Sequence, residues 1–265
     1  MAETGKKRPT YPGKCAFCGA SFSKGTITRH LGVCPKRKDL SQTGPSKLYH
    51  LAIDADSMPE YWIHVQAPAD AMLRDLDEFL RALWLECCGH LSAFTIGPTS
   101  YVSRLEEEEE ETDEGEEFEE PFDALFEAES EAPAAAGEER EAVDPWGGDD
   151  RSMDIALGEV LKAGLEFHHE YDFGTTTSLR LRVLSERQGL RPVPPVRLLA
   201  RNEPPEIVCE SCGKAKAAMV CPVCMVEGGK AFFCRRCSGK HECEEDELYL
   251  PVLNSPRMGV CGYEG

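Results

Sequence analysis

The feature that most constrains this fold is a run of closely spaced cysteines near the C-terminal end. Residues 209–243 contain Cys-x2-Cys three times, followed by a histidine and a cysteine. A two-residue gap lets one tight turn direct two thiolates at the same metal ion, and eight ligands complete two tetrahedral zinc sites. The sequence therefore predicts a two-zinc module over residues 207–265. Its predicted ligands are Cys209, Cys212, Cys221, Cys224, Cys234, Cys237, His241 and Cys243.

The pairing of these ligands follows from analogy with cross-brace modules. We expect the first and third pairs to hold one ion and the second and fourth pairs the other, and consecutive pairing is the alternative. Four protein ligands for each ion leave no position for water, which favours structural zinc over catalytic zinc. A disulfide or redox role is the competing interpretation.

The cellular compartment helps to decide between metal binding and disulfide formation. The sequence has no run of about 18 apolar residues and no basic segment followed by an apolar signal region. We therefore expect a cytoplasmic protein without membrane contact. Disulfides are rare in that reducing compartment, so metal binding is favoured for the 13 cysteines.

A second zinc motif lies near the start of the chain. Cys15, Cys18, His30 and Cys34 form a C-x2-C-x11-H-x3-C pattern, in which the last two ligands lie one helical turn apart. This spacing predicts a C2HC finger over residues 1–40, with a structural ion. About three structural zinc ions are expected in the whole chain.

Charge is distributed unevenly. Residues 1–47 contain ten Lys or Arg and two acids, whereas residues 106–150 contain twenty-two acids and one Arg. Any nucleic-acid contact is therefore expected through residues 1–47, with the acidic stretch competing against it. We predict a disordered acidic insertion over 105–150, because so charged a segment buries too little apolar surface to fold. A short docking helix near Phe122 is the alternative to a transient helix there.

The central part of the chain predicts strands around one helix. The segments KLYHLAID and YWIHVQA alternate between apolar and polar residues, as strands do. The helix that follows has Asp70 as its predicted N-cap, an apolar stripe, and Asp77 with Arg81 as a surface ion pair. Residues 187–206 contain five prolines and predict a stiff linker.

Residues 165–183 predict a β-hairpin. A three-residue loop over 174–176 keeps the apolar faces of both strands together. That register sets Glu170 opposite Arg180 and His168 opposite Arg182. His169 lies on the apolar face and is interpreted as a hydrogen-bonded core histidine.

Four further residues are weaker candidates for metal binding or catalysis. Cys87, Cys88 and His90 follow the helix, and a packing or turn role is preferred to a role as ligand or nucleophile. Cys261 is a single thiol in the tail, interpreted as docking against the body, with zinc ligation or reactive chemistry as alternatives.

Residues 47–186 resemble the plasmid pRiA4b ORF-3-like family, whose members also occur as passengers of insertion elements. The resemblance rests on the Trp62 strand, the helix from Asp70, the His90-Leu91 pair and the YDFG of 171–174. The tail from ARNEPPEIVCESCG onward is similar to a zinc-bearing extension found in some members. This resemblance implies an α+β fold and no established activity.

Together these patterns predict an α+β domain, a small mixed sheet with packed helices, between the finger and the two-zinc module. The expected function is that of a zinc-binding, non-catalytic interaction or adaptor protein, accessory to a mobile genetic element and with a protein partner. The alternatives are a nucleic-acid-binding regulator acting through the basic finger and a metal-dependent hydrolase or nuclease. The oligomeric state is not specified by the sequence.

Overall fold

The computed structural model describes residues 11–37, 42–103, 150–243 and 249–265. The acidic insertion predicted over 105–150, with its docking helix near Phe122, lies outside the described residues except at its last position. In the described ranges no helix is both long and apolar enough to cross a membrane.

The described residues form thirteen strands and five helices. The strands are β1 (Pro12–Cys15), β2 (Ser21–Ser23), β3 (Gln42–Ala55), β4 (Trp62–Pro68), β5 (Ser92–Ile96), β6 (Thr99–Val102), β7 (Arg151–Ser152), β8 (Glu166–Tyr171), β9 (Thr177–Pro192), β10 (Arg197–Asn202), β11 (Met219–Val220), β12 (Phe232–Phe233) and β13 (Leu250–Pro251). The helices are α1 (Lys24–Val33), α2 (Leu73–Leu80), α3 (Leu157–Val160), α4 (Pro222–Glu227) and α5 (Arg235–Ser238), and a π-helical turn, Arg81–Leu85, continues α2.

Ten of the strands form one sheet in the order β2-β1-β10-β4-β3-β9-β8-β5-β6-β7. All neighbours are antiparallel except β6 and β7, which are parallel, so the sheet is mixed. The α+β class is confirmed, but the expected small sheet is wrong. The sheet is larger because β1 and β2 of the finger, together with β10 from the segment predicted as a linker, extend it at one end. A separate three-stranded sheet, β12-β11-β13, lies in the C-terminal module.

The segment predicted as a linker, residues 187–206, contributes to this sheet instead. Strand β9 runs to Pro192, and β10 pairs with both β1 and β4. Leu199 and Ala200 of β10 are fully buried. The prolines misled the prediction because they lie at a strand end, in the turn between β9 and β10, or beyond β10, and only these positions tolerate a missing backbone donor.

The finger, described here over residues 11–37, packs directly on the central sheet. Its strand β1 pairs with β10, and the indole Nε1 of Trp62 donates a hydrogen bond to the Tyr11 carbonyl at 3.2 Å. Ile27 and Leu31 of α1 are fully buried in a core that also contains Trp62. The finger is therefore joined to the central domain by backbone pairing and by shared apolar packing.

This junction leaves no room at Gly13, where an added Cβ would lie 2.4 Å from the Trp62 ring and 2.6 Å from the Arg201 carbonyl oxygen. We expect Gly13→Ala to lower the free energy of unfolding by about 1–3 kcal/mol, because a backbone atom has to move. Gly32→Ala is the matched control, since a Cβ there meets nothing within 4 Å in the helix α1 and should stabilise it slightly. Urea denaturation of both variants measures the difference, and equal midpoints would contradict the close packing.

Helix α2 begins later than predicted. Its N-cap is Met72, whose backbone N–H donates to the Asp75 carboxylate at 2.8 Å. Asp70, the predicted cap, instead accepts hydrogen bonds from Ser46 and Arg191. The helix buries its stripe of leucines against the sheet. The fully buried members of the stripe are Leu73, Leu76, Leu80 and, in the π-helical turn, Trp84.

Asp77 is buried, so its prediction as half of a surface pair is wrong. Its carboxylate accepts hydrogen bonds from His169 Nε2, Ser92 Oγ and Arg81 Nε, each at 2.7 Å. Burial alone would raise the pKa of Asp77, but the hydrogen bond from His169 and the charge of Arg81 outweigh it and lower that pKa. His169 is fully buried, as expected, and its Nε2 bonds Asp77, but its buried Nδ1 has no hydrogen-bond partner among the described residues.

In the hairpin of β8 and β9, each side chain lies on its predicted face, but the two strands pair in a different register. Glu166 lies opposite Arg182 and His168 opposite Arg180, two residues away from the predicted pairing. The loop runs from Asp172 to Thr176, because the Asp172 carboxylate accepts hydrogen bonds from the backbone of Gly174 and Thr175 and shapes a longer turn. A shift of two keeps every side chain on its predicted face, and this explains why periodicity could not detect it.

Candidate metal centres

The four finger residues converge on one point. The ligand atoms of Cys15, Cys18, His30 and Cys34 all lie within 4.8 Å of one another. The two sulfurs of Cys15 and Cys34 are 3.9 Å apart, and the Cys18 sulfur is 3.3 Å from His30 Nε2. Cys15 ends β1, His30 lies in α1, and Cys34 caps the C-terminal end of that helix. The strand, turn and helix of the finger thus present a four-ligand set.

A second set consists of Cys209, Cys212, Cys234 and Cys237, with all four sulfurs within 4.8 Å. The first two lie in a turn closed by the Gly213 N–H, which donates to the Cys209 carbonyl at 2.8 Å. Backbone N–H groups, first that of Cys212 and then that of Cys234, lower the pKa of the Cys209 thiol to about 6. This lowering favours the thiolate, the form that binds metal.

A third set consists of Cys221, Cys224, His241 and Cys243. The Cys243 sulfur is 3.8 Å from each of the other two sulfurs, and His241 Nε2 is 3.2 Å from the Cys224 sulfur. Burial, and then the crowding of the neighbouring thiols, raises the pKa of Cys224 to about 12. A divalent cation reverses this effect, because it binds the deprotonated sulfurs and releases their protons.

The two C-terminal sets interleave along the chain. The first pair is grouped with the third and the second with the fourth, which is the cross-brace arrangement rather than the consecutive one. The arrangement is held by pairing of β11 with β12 and β13 around a small core of Val220, Ala231, Leu250 and Met258.

The sulfur separations fit a tetrahedral metal and not a disulfide. An ion with metal–sulfur bonds of about 2.3 Å holds its sulfurs about 3.8 Å apart, whereas a disulfide bond is about 2.05 Å long. The sulfur pairs described above are 3.8–3.9 Å apart, and all thirteen cysteines are free thiols. These Cys and His clusters could therefore hold metal ions.

A fourth set consists of residues for which the sequence favours packing, turn or docking roles over metal binding. Cys87, Cys88, His90 and Cys261 also bring their ligand atoms within 4.8 Å. The tail docks on the central domain through the buried residues Ser255 and Arg257, whereas Cys261, the thiol that was expected to dock, is itself exposed. A count could have found this set: the three predicted sets use ten cysteines, and the remaining three are the ones gathered here.

The geometry expected of a hydrolase is not present among the described residues. His90 Nε2 is 3.5 Å from the Asp172 carboxylate, but Asp172 is engaged by Arg257 and Thr175. His168 is exposed on β8 and belongs to none of the described clusters. The convergence of His90, His168 and Asp172 that a catalytic metal site would need is therefore missing.

Comparison with known proteins identifies no family. No family model matches the chain, and no curated protein matches it. Among solved structures, the chain is similar to a protein of unknown function, MM3350 from Methanosarcina mazei Go1, at 18% identity and a TM-score of 0.35. The match covers 54% of this chain and 63% of that one, so the chain spans less than two thirds of its structural neighbour.

A basic cavity lies between the finger and the sheet. Its volume is about 420 Å³, and its lining includes Arg37, His50 and Arg187. Both arginines donate to the Gln66 side-chain oxygen, at 2.6 and 2.9 Å. Burial and then the charge of these arginines lower the pKa of His50 to about 4. The cavity therefore holds two fixed positive charges beside a neutral imidazole.

His50 and His64 form a neutral pair, with His50 Nε2 2.9 Å from His64 Nδ1, and burial lowers the pKa of His64 to about 3. An unfolded histidine has a pKa of about 6.5, so below that pH the unfolded chain binds more protons and the free energy of unfolding falls. We expect each histidine to cost about 2 kcal/mol on going from pH 7 to pH 5, with the loss continuing to about pH 4 for His50 and about pH 3 for His64.

The double variant His50→Gln/His64→Gln should lose about 3–4 kcal/mol less than the wild type over that pH change. The exposed His168→Gln is the matched control and should follow the wild type. Metal loss in acid affects all three proteins equally, so it cancels in the comparison. Parallel curves of denaturation free energy against pH for the double variant and the wild type would contradict the neutral pair.

Proposed function

We propose that the chain is a zinc-binding, non-catalytic interaction protein whose metal ions hold contact surfaces in shape. The observation that supports this most is the completeness of the predicted ligand sets. The finger and both C-terminal sets each offer four protein ligands. Structural zinc sites have this closed coordination, whereas catalytic sites use three protein ligands and keep one position for water or substrate.

Charge and surface support a protein partner. The acidic stretch over 106–150 has a formal charge of −21, and residues 1–47 have a formal charge of +8. In the C-terminal module, Val226 on α4 is 88% exposed and Met225 beside it is 37% exposed. Adjacent exposed apolar residues of this kind are typical of contact surfaces. Membership of the pRiA4b ORF-3-like family and a link to mobile elements belong to this proposal through the sequence resemblance alone.

Cobalt substitution tests the non-catalytic role. Co²⁺ in a closed site of four protein ligands should give a tetrahedral absorption spectrum that added cyanide or azide leaves unchanged. A spectrum that shifts with these anions would reveal an exchangeable position and favour the hydrolase. Affinity purification from the native cell, with and without nuclease, then separates direct protein partners, which persist, from those bridged by nucleic acid.

A second candidate function, nucleic-acid binding through residues 1–47, is favoured by the basic cavity described above. Two arginines 2.6 and 2.9 Å from one amide oxygen place positive charge where a phosphate could bind. Against it, Lys24 of the finger is already paired with Asp54 at 3.0 Å. The test is binding of single-stranded RNA and duplex DNA across salt concentrations. Arg37→Ala should reduce the salt slope by about 1 if Arg37, the cavity arginine within residues 1–47, contacts phosphate, and an unchanged slope would remove this candidate.

A further inference from the structure

We propose that Cys87, Cys88, His90 and Cys261 form a fourth zinc site. The site has four protein ligands, lies at the protein surface, and links the C-terminal tail to the central domain. This inference goes beyond the interaction role above and does not depend on it. It rests on the geometry of the four ligands, on how each ligand is held, and on their exposure.

The distances match those of the other sets. The Cys88 sulfur is 3.8 Å from the Cys87 sulfur and 3.7 Å from the Cys261 sulfur. His90 Nε2 lies 3.0 Å from the Cys88 sulfur and 3.1 Å from the Cys261 sulfur. Sulfurs about 3.8 Å apart are separated as tetrahedral zinc requires.

Surrounding residues hold the first three ligands in place. The carboxylate of Glu86 accepts the Gly89 N–H at 2.6 Å, and Arg81 donates to the His90 carbonyl at 2.6 Å. The Cys87 N–H donates to the hydroxyl oxygen of Tyr171 at 3.3 Å. These hydrogen bonds hold the backbone of the loop that carries the three ligands. They fix the loop independently of the tail.

The tail is anchored separately and delivers the fourth ligand. Arg257 is fully buried, is paired with the Asp172 carboxylate, and donates to the Thr177 hydroxyl at 3.2 Å. Ser255 donates to the Trp84 carbonyl at 2.6 Å. Cys261 then adopts a φ of 48°, a left-handed conformation that few residues other than glycine take. Such strain is found where a side chain is needed in one position.

The local charge also fits a divalent ion. Three thiolates, a neutral imidazole and Zn²⁺ have a net charge of −1, and the Arg257 guanidinium lies 3.7 Å from the Cys87 sulfur. A buried cation beside a thiolate stabilises the deprotonated form that binds metal. With this set included, every one of the thirteen cysteines belongs to a four-ligand cluster.

Exposure distinguishes this set from the other three. Cys88 and Cys261 are exposed and the remaining two ligands are half-buried, whereas each other set has at least one buried thiol. Water and chelators therefore reach this ion most easily. We expect it to exchange first of the four.

Cadmium-113 NMR of the full chain tests the site. We expect four resonances, one from the set of four cysteines and three from the sets of three cysteines and one histidine. Cys261→Ser should remove one resonance of the histidine-containing kind and leave the other three, which serve as the internal check of folding. Cys88→Ser, from the other side of the site, should remove the same resonance. Val260→Ala is the matched control in the tail and should retain all four.

The outcomes separate this inference from the proposed function. Three resonances in the wild type, or four in Cys261→Ser, would overturn the fourth site alone. No bound metal in any set would overturn the zinc basis of the proposed function as well.

Release of zinc to the chromogenic chelator 4-(2-pyridylazo)resorcinol tests the exchange. The wild type should lose one ion in a fast phase, at least tenfold faster than the rest, and Cys261→Ser should lack that phase. A single slow phase for all ions, or a fast phase that persists in Cys261→Ser, would contradict the exposed site.

Discussion

Cys234→Ser is expected to unfold the C-terminal module while the central domain stays folded. Cys234 belongs to the all-cysteine set and is the N-cap of α5. Serine is a favoured N-cap residue, so the variant removes a zinc ligand and leaves the helix boundary in place. Structural zinc contributes about 10–16 kcal/mol of apparent folding energy at each site, and whole domains are stable by only about 5–15 kcal/mol. The buried core of the C-terminal module is small, so apolar packing alone does not supply a stabilisation of that size when the metal is lost.

Because the two C-terminal sets interleave, we expect both ions to leave. Metal analysis should show about two fewer zinc ions for each chain, and limited proteolysis should cut within residues 207–243. Ser238→Ala is the matched control: this residue follows Cys237, and its hydroxyl donates only to the nearby Arg235 carbonyl at 3.1 Å. A Cys234→Ser protein that keeps its full zinc content and resists protease would contradict the role of the metal in folding.

The sequence predicts the grouping of those ligands well because metal-ligand spacing is a local property. A Cys-x2-Cys turn places both sulfurs on one side whatever surrounds it. The cross-brace pairing was available only by analogy, since eight ligands in a row are equally compatible with consecutive pairing. Spacing does not predict the fourth set, because Cys261 is far along the chain from Cys87. The two residues come together because the buried Arg257 anchors the tail on the central domain.

Strand pairing in the sheet likewise cannot be predicted from local sequence. Alternation of apolar residues identified β3, β4, β8 and β9, but their partners depend on contacts between distant segments. Lys14 of the finger lies opposite Arg201 of β10, and nothing local to either residue indicates this. A segment with five prolines resembles a linker in composition, and only the burial of Leu199 and Ala200 makes it part of the core.

Asp77 is a case in which the sequence did contain the answer. It lies four residues after Leu73 and three before Leu80, on the buried stripe of α2. Helical periodicity places position 77 toward the core. Its charge led to the surface prediction, although a carboxylate on an apolar stripe indicates a buried polar partner. His169, on the apolar face of β8, is that partner.

Asp77→Ala is accordingly expected to lower the free energy of unfolding by about 3–5 kcal/mol, because it leaves Arg81 Nε and the Nε2 of fully buried His169 without their acceptor. The network should lose stability in acid as well. The folded pKa of Asp77 lies below its ordinary value, so its contribution is present above the unfolded pKa of about 3.9 and is lost as pH falls through the folded pKa.

Asp70→Ala is the matched control for this network. Asp70 also pairs with an arginine, Arg191 at 2.9 Å, but its side chain is 57% exposed, and surface pairs contribute about 0–1 kcal/mol. Urea denaturation at neutral pH compares the two variants with the wild type.

Asp77→Asn separates charge from shape. It keeps an acceptor oxygen for Ser92 or His169 but removes the charge facing Arg81, and we expect its free energy of unfolding to fall between those of Asp77→Ala and the wild type. Equal losses for Asp70→Ala and Asp77→Ala would mean that burial of the carboxylate does not matter, and the account of the α2–β8 contact would be wrong.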